Sequence, residues 1–183
     1  MSASEEPPRR RGPRPLETRE QAWEYLLLLL GRQSYTLAEL RRKLERRGAA
    51  DLADELLERL VELRLADDAA YSEQYVSSRR SARGRLALAQ ELWRRGVEAD
   101  LVSSEVGKLT PAQQLAAAVG LLEKSAWRYK PATDTDLTDE RTASEAKHRA
   151  KAKAFAFLAR RGFDAETAAQ ALAGVGWFES GED

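Results

Sequence analysis

The sequence predicts an all-α protein made of three tandem three-helix repeats. The pattern Leu-x-Arg-Arg-Gly occurs at 44–48, 92–96 and 158–162, and each copy ends a segment whose apolar residues have helical spacing. The copies begin 48 and 66 residues apart, a range that is typical of stacked supersecondary units. The strict apolar–polar alternation of a half-buried strand occurs nowhere in the chain. The expected repeats are 20–66, 67–109 and 110–176.

The first repeat contains three amphipathic patterns, each too short to bury its apolar face alone. Thr36 and Glu39 predict a capping box at the start of the second helix, and Gly48 is expected to end that helix in the left-handed conformation. The first helix is expected to bury Trp23, Leu26, Leu27 and Leu30. The third helix is expected to bury Leu52, Leu56, Leu57, Leu60 and Leu63.

The second repeat follows the same plan. Asp67 or Asp68 can cap its first helix, Gly84 interrupts the basic segment after that helix, and Gly96 ends the second helix. Its apolar positions are Tyr71, Tyr75, Val76, Leu88, Ala89, Leu92, Trp93, Val102, Val106 and Leu109.

The third repeat opens with a second capping box, formed by Thr110 and Gln113, with Pro111 at the first helical position. A flexible loop is expected near 131–142, where Asp and Thr follow a proline, and it accounts for the longer spacing. The apolar positions of this repeat are Leu115, Ala118, Val119, Leu122, Ala154, Phe155, Leu158, Ala165, Ala168, Ala169 and Leu172.

Both chain ends are predicted to lie outside the repeats. Residues 1–19 hold four of the six prolines and three consecutive arginines, so they bury too little apolar surface to order and are predicted to be disordered. Residues 177–183 are predicted to be an acidic tail. The chain has no cysteine and no apolar run near the roughly 20 residues that span a bilayer. The Pro- and Arg-rich N-terminus lacks an apolar segment and is not expected to be a signal peptide. We expect a cytoplasmic protein with no membrane contact.

Groups that carry catalysis are scarce in the sequence. His148 is the only histidine, and it lies in a basic run that favours a surface position. Without cysteine or a second histidine, no zinc site of the usual kinds can form, and no phosphate-binding loop motif is present. We therefore expect a protein that is not an enzyme and has no cofactor or metal.

Charge alternates along the chain although its sum is zero. Residues 32–48, 77–96 and 147–162 carry net charges of +4, +5 and +6, whereas the segments that follow them are acidic. Cations in the last turn of a helix gain roughly 0.3–1 kcal/mol from the helix dipole, which explains part of this pattern. It does not explain the basic residues expected at the starts of the next helices, so an anionic partner surface is predicted. The candidate partner-binding residues are Arg79, Arg80, Arg83, Arg85, Arg94, Arg95, Lys147, Lys151, Lys153, Arg160 and Arg161.

The sequence Trp-Arg-Tyr-Lys at 127–130 interleaves aromatic and basic residues. Platforms on which single-stranded nucleic acid stacks have this composition. Four residues at a helix end are weak evidence for such a platform, and packing of the aromatic rings against the repeat is the favoured interpretation.

Taken together, the repeat motifs resemble the RecX family of recombinase regulators over about residues 20–175. The second repeat carries the resemblance through Asp67, Asp68, Tyr71, Tyr75, Val76, Arg79, Gly84, Gln90, Glu91, Leu92, Arg95, Gly96 and Val97. The first repeat agrees at Tyr35, Thr36, Glu39, Leu40, Lys43 and Leu44. The third agrees at Lys151, Phe155, Arg160, Arg161, Gly162 and Phe163.

The resemblance implies a curved, elongated array of three modules that binds in the groove of the RecA–DNA filament. It also implies a monomer that inhibits the recombinase's ATPase, strand exchange and coprotease activities. Some family members bind DNA directly, so weak, sequence-independent contact with single- or double-stranded DNA is a further expectation. The runner-up hypothesis is a sequence-specific transcription regulator, because three-helix units with a basic second or third helix resemble helix-turn-helix readers.

Overall fold

The computed structural model describes residues 14–131 and 140–178, and every regular element in these two ranges is a helix. The all-α prediction is therefore confirmed. The helices are α1 Arg19–Leu30, α2 Leu37–Glu45, a 3-10 turn Ala50–Leu52, α3 Ala53–Glu62, α4 Asp68–Arg79, α5 Arg85–Arg95, α6 Ala99–Gly107, α7 Pro111–Lys124, α8 Ala126–Tyr129, α9 Glu140–Arg160 and α10 Ala165–Gly174.

The helix ends agree with the cap residues that the sequence indicates. Thr36 and Thr110 both form complete capping boxes, the second with proline in the first turn. Gly48, Gly96 and Gly162 adopt φ of 74°, 89° and 85°, the left-handed conformation that an L side chain disfavours. Local sequence therefore determines where these helices begin and end.

The chain divides into two compact units, Met1–Asp68 and Ala69–Asp183. The first unit has one buried apolar cluster, centred on Leu26, Leu40 and Leu56. The second unit has two, one around Leu92 and the other around Leu158. Each cluster draws on the helices of one predicted repeat, while the repeat boundaries themselves stay predictions.

The buried face of α1 differs from the predicted one. Leu26 is buried as expected, but Leu27 is 40% exposed and Leu29 is buried in its place. Five consecutive leucines fit either register equally well, so their spacing could not decide between them. The predicted burial of Leu63 is also wrong, because this residue lies after the end of α3 and is exposed.

Parts of the predicted tails and loop belong to the folded units. The Leu16 N–H donates to the Arg47 carbonyl oxygen at 2.8 Å, and the Leu16 side chain packs on the first cluster. Trp177 and Phe178 pack on the cluster around Leu158. The predictions of a disordered tail and an acidic tail are therefore wrong at these residues, and 1–13 and 179–183 lie outside the described residues.

The prediction of a loop near 131–142 is wrong at its far end, because Glu140 is already the first residue of the 21-residue helix α9. Residues 132–139 lie outside the described residues.

Candidate partner-binding surface

All eleven candidate basic residues lie in the second unit, Ala69–Asp183. They are carried by the end of α4, the loop after it, α5, α9 and the first residue after α9. The structure separates ten of them into three sets that differ in what their side chains contact, and Lys147 belongs to none of these sets.

The first set surrounds Tyr75. The Tyr71 and Tyr75 rings stack with their centroids 5.9 Å apart. The Arg79 guanidinium lies 4.0 Å from the centroid of the Tyr75 ring, and the Arg95 guanidinium lies 5.0 Å from the same centroid. Tyr75 is only 8% exposed, so these cation–π contacts hold both arginines close to the surface of α4 and α5.

Glu91 completes this Tyr75 cluster. The Tyr75 hydroxyl donates a hydrogen bond to Glu91 Oε2 at 2.8 Å, and Arg83 Nε lies 3.4 Å from Glu91 Oε1. One carboxylate thus fixes the ring and pairs with one of the surrounding arginines. The sequence reading assigned Glu91 no role of its own, although it belongs to the same motif as both tyrosines.

The second set lies where two helix ends meet at Gly84 and Gly162, here called the glycine seam. The Gly84 N–H donates to the Arg161 carbonyl at 2.9 Å, and the Leu86 N–H donates to the Gly162 carbonyl at 3.1 Å. A Cβ on Gly84 would lie 2.2 Å from the Gly162 carbonyl oxygen, so no side chain fits. Two segments far apart in sequence are therefore joined backbone to backbone.

Arg85 and Arg161 are engaged at this seam. Arg85 Nη2 lies 2.8 Å from Asp164 Oδ2, and its backbone N–H donates to Gln114 Oε1 at 2.8 Å. Arg161 Nη1 donates to the Ala82 carbonyl at 3.4 Å. These two residues were predicted to bind a partner, but in this structure their side chains hold the second unit together.

Asp164 is the anionic member of the seam and also caps α10. Its carboxylate accepts the Thr167 backbone N–H at 2.8 Å. This hydrogen bond, with further help from Thr167 and from the nearby Arg85 guanidinium, holds the pKa of the Asp164 carboxyl below its ordinary value. The ionised form is therefore stabilised at the N-terminus of α10.

The third set consists of exposed cations that make no ion pair or side-chain hydrogen bond with any described residue. They are Arg80, Arg94, Lys151, Lys153 and Arg160. Lys147 is half-buried and does have an interaction within the protein. The third set is thus the part of the predicted surface whose charges are not already engaged by other described residues.

A shallow groove runs between α9 and α10 beside one of these cations. It encloses about 320 Å³ and is lined by His148, Lys151, Ala152, Phe155, Ala169, Leu172 and Ala173. His148 is exposed, as its basic sequence context indicates. The groove combines an apolar floor with basic side chains at its edge.

Most of the basic residues do not lie at the helix starts that the sequence predicted for them. Lys147 to Lys153 were expected at the start of a helix, but they lie in the middle of α9, far from either end. Arg79 is the last residue of α4, where the dipole favours a cation, and only Arg85 begins a helix. The dipole therefore gives no reason to infer a partner from these positions, and that inference depends on the unpaired state of the third set.

The aromatic–basic sequence at 127–130 has one packed ring and one exposed ring. Tyr129 is 5% exposed and stacks on Phe157 with centroids 4.9 Å apart, so the packing interpretation is confirmed for this ring. Trp127 is 84% exposed, and the same interpretation is wrong for it.

The described ranges contain neither a candidate metal site nor a candidate membrane-spanning helix. No cluster of three or more His, Cys, Asp or Glu side chains there is arranged to hold a metal ion. Likewise, none of the helices in these ranges combines the length and apolar character needed to cross a bilayer.

Comparison with known proteins shows that the segment containing the Tyr75 cluster is similar to a known type of domain. A family model described as "RecX, second three-helix domain" matches residues 67–104. A "Regulatory protein RecX" of Deinococcus radiodurans is 36% identical over 164 residues, which cover 88% of this chain and 72% of the relative. Another of that name, from Mycobacterium tuberculosis, is 35% identical over 154 residues and covers 82% and 83%.

Two solved structures share the fold. A crystal structure of RecX from Lactobacillus salivarius superposes with a TM-score of 0.69 at 22% identity, covering 86% of this chain and 96% of that one. A second, described as regulatory protein RecX, gives a TM-score of 0.67 at 23% identity and covers 81% and 69%. Given relatives of this identity matched over most of their length, the chain belongs to the RecX family.

Proposed function

We propose that this protein is a regulator of the RecA recombinase that binds in the groove of the RecA–DNA filament and inhibits its ATPase, strand exchange and coprotease activities. The observation that carries the proposal is the third set of cations, which are exposed and unpaired among the described residues. Relatives named as regulatory proteins of the same family support it.

The charge arrangement suits a filament better than a small ligand. Arg80 and Arg94 are next in sequence to Arg79 and Arg95 of the Tyr75 cluster, whereas Lys151, Lys153 and Arg160 lie on α9. Cations spread over two helical modules match a partner whose anionic groups repeat along its length. A monomer in the cytoplasm that spans neighbouring RecA protomers would then hinder the movements that hydrolysis and strand exchange require.

The arginines of the Tyr75 cluster have a supporting role in this proposal. Arg79 and Arg95 are held against a buried ring, and Arg83 is paired with Glu91. Their guanidinium groups are pre-positioned, so a partner carboxylate or phosphate would order fewer side chains on binding. Arg85 and Arg161 are left out of the proposed contact, because they serve the glycine seam.

The decisive experiment measures RecA ATPase on single-stranded DNA with increasing amounts of this protein. We expect inhibition by the wild type and a roughly tenfold weaker effect for Arg80→Glu/Arg94→Glu, since two exposed ionic contacts contribute up to about 1 kcal/mol each. The double variant should keep its helical circular dichroism, because both side chains are exposed and neither makes a hydrogen bond or ion pair with another described residue.

Arg32→Glu/Arg46→Glu is the matched control, with the same change in net charge on exposed residues of the first unit. It should inhibit nearly as well as the wild type. No inhibition by the wild type at several-fold excess over RecA protomers would refute the proposed function. Equal losses in both double variants would instead show that net charge, and not this surface, determines the effect.

The alternative, a sequence-specific helix-turn-helix regulator, gains no support from the last helices of the first two predicted repeats, α3 and α6. A reader of this kind places its last helix in the major groove, among phosphates. In α3 the side chains of Asp54, Glu55, Glu58 and Glu62 oppose a single arginine, and α6 carries two acids and no cation. Such helices would repel the DNA backbone.

A further inference from the structure

Trp127 is the most exposed large apolar side chain in the described part of the chain, with 84% of its surface open to solvent. Trp23 and Trp177, by contrast, pack on apolar clusters of their own units. A tryptophan forgoes much stabilisation when it stays outside a core, because its side chain can bury up to about 250 Å². Stabilisation of the fold therefore does not explain why a tryptophan occupies position 127.

The helix that carries Trp127 is fixed to the protein by its other side. Tyr129 of α8 is buried and stacks on Phe157 of α9. The Arg128 guanidinium lies 5.7 Å from the Tyr129 centroid, and the Arg161 guanidinium lies 5.2 Å from the Phe157 centroid. Positions two apart on a helix point in nearly opposite directions, so burial of Tyr129 turns Trp127 outward. The indole is thus presented on a rigid base.

Cations surround this indole in the sequence. Lys124, Arg128 and Lys130 are all exposed, and the nearest acidic residues along the chain are Glu123 and Asp134. On the face of α9 that meets α8, Lys153 precedes Phe157 by four residues and Arg160 follows it by three, which are the spacings of neighbours on a helix surface. A flat aromatic surface is therefore set among positive charges.

We propose that Trp127 is a stacking platform for an unpaired base of single-stranded nucleic acid, whose phosphates contact Lys124, Arg128 and Lys130. Aromatic rings with interleaved cations bind single strands without sequence preference, because every base has a π-face and every nucleotide a phosphate. A protein partner would favour an apolar patch around the indole, and the exposed neighbours here are charged. The three proposed phosphate contacts are not members of the third set of cations, although Lys153 and Arg160 of that set lie on the adjoining helix α9. The site can be tested independently of the proposed function.

The test uses the full chain without recombinase. Binding of a fluorescein-labelled oligothymidylate is measured by anisotropy, together with quenching of the protein's tryptophan fluorescence. We expect Trp127→Ala to raise Kd about fivefold or more, since one stacked base contributes roughly 1–3 kcal/mol. Trp127→Phe should keep part of the affinity, because it keeps an aromatic face.

Trp93→Ala is the matched control. Trp93 is 53% exposed and is also followed by arginine, but it lies on α5. It should bind like the wild type. Replacing Lys124, Arg128 and Lys130 with Gln should make the slope of log K against log salt shallower by about 2, because each phosphate contact on a single strand contributes roughly 0.7.

Three results would overturn the proposal. The first is unchanged oligothymidylate affinity in Trp127→Ala with retained helicity. The second is an equal loss of affinity for duplex and single strands in Trp127→Ala, which would show that the indole does not stack on an unpaired base. The third is a shift of tryptophan fluorescence with vesicles of phosphatidylglycerol but none with the oligonucleotide, if Trp127→Phe abolishes that shift, which would identify a lipid surface as the ligand.

Discussion

At Gly84 and Gly162 the backbones come so close that the absence of a side chain is itself the structural requirement. The sequence predicted one function of Gly162, ending a helix, and its φ of 85° confirms it. It could not predict the second function, because contact with Gly84 joins distant segments and leaves no periodic pattern. The same applies to the contacts of Arg85 with Asp164 and of Arg161 with the Ala82 carbonyl, which no sequence pattern indicates.

Gly84→Ala is therefore expected to destabilise the second unit. Gly84 has a φ of −76°, which alanine adopts readily, so the effect isolates the steric clash with the Gly162 backbone. Overpacking of this kind costs roughly 1–3 kcal/mol. The free energy of unfolding is measured by urea denaturation, followed by far-ultraviolet circular dichroism.

Gly120→Ala serves as its control, because a Cβ there meets no atom within 4 Å and the residue lies inside α7. This change should stabilise the protein by roughly 0.5–1 kcal/mol, the ordinary helix preference for alanine. If Gly84→Ala were as stable as the wild type, the seam would be open in solution.

At the level of the helices, the sequence predicted the capping boxes correctly but misplaced the start of the longest helix, α9. Both capping boxes formed where Thr36 and Thr110 predicted them, because a cap needs only residues three apart. By contrast, the start of α9 was misplaced: Asp and Thr near 131–142 suggested a loop, although the helix begins at Glu140. Lys147 to Lys153 consequently lie in mid-helix, where the helix dipole has little effect on a cation. The dipole therefore gives no reason to expect a partner at these residues.

The N-terminus of α10 should respond to pH through Asp164. Its carboxyl pKa is lowered in the folded protein, chiefly by the hydrogen bond from the Thr167 N–H. The stabilisation is thus fully present above the unfolded value of about 4 and is lost as pH falls through the lower folded value. At neutral pH, Asp164→Asn should lower the free energy of unfolding by up to about 1 kcal/mol, through the lost charge beside the dipole and Arg85.

Asparagine still caps a helix well, so this substitution tests the charge and not the hydrogen bond. Urea unfolding of the wild type and Asp164→Asn is compared at neutral pH and at successively lower pH. The difference between them should shrink below about pH 4. A difference that stays constant with pH would contradict the assigned ion pair and dipole contributions.

At the scale of the whole molecule, the sequence predicted the all-α class, and each copy of its repeated motif corresponds to one of three apolar clusters. The leucine of each motif copy, Leu44, Leu92 or Leu158, is fully buried in a cluster of its own. Spacing of apolar residues reports burial directly. The spacing of apolar residues does not show which surface meets a partner. The third set of cations could therefore be distinguished from the other basic residues only by their side-chain contacts in the structure.

The two compact units predict separate responses to core damage. Leu44→Ala should destabilise the first unit, and Leu158→Ala the second, each by roughly 2–5 kcal/mol, the usual cost of truncating a buried leucine. Variants that retain only Trp23 or only Trp177 report on the two units, because each ring packs on a cluster of its own unit. Urea unfolding should show the loss at the tryptophan of the altered unit.

Loss of the same size at both tryptophans in both variants would show that the chain unfolds as one cooperative body. In that case the division into Met1–Asp68 and Ala69–Asp183 would have no thermodynamic counterpart.

The glycine seam also restricts how this protein can change over time. Where two side chains pack, enlargement of one can be compensated by a smaller residue at the other. At positions 84 and 162 both residues already have the smallest side chain there is. A Cβ at 84 would collide with the backbone of Gly162 and Phe163, and a Cβ at 162 would collide with the backbone N and Cα of Ala87 as well as its Cβ. A substitution at either position therefore has no rescuing substitution at the other, and recovery requires reversion or a shift of whole helices.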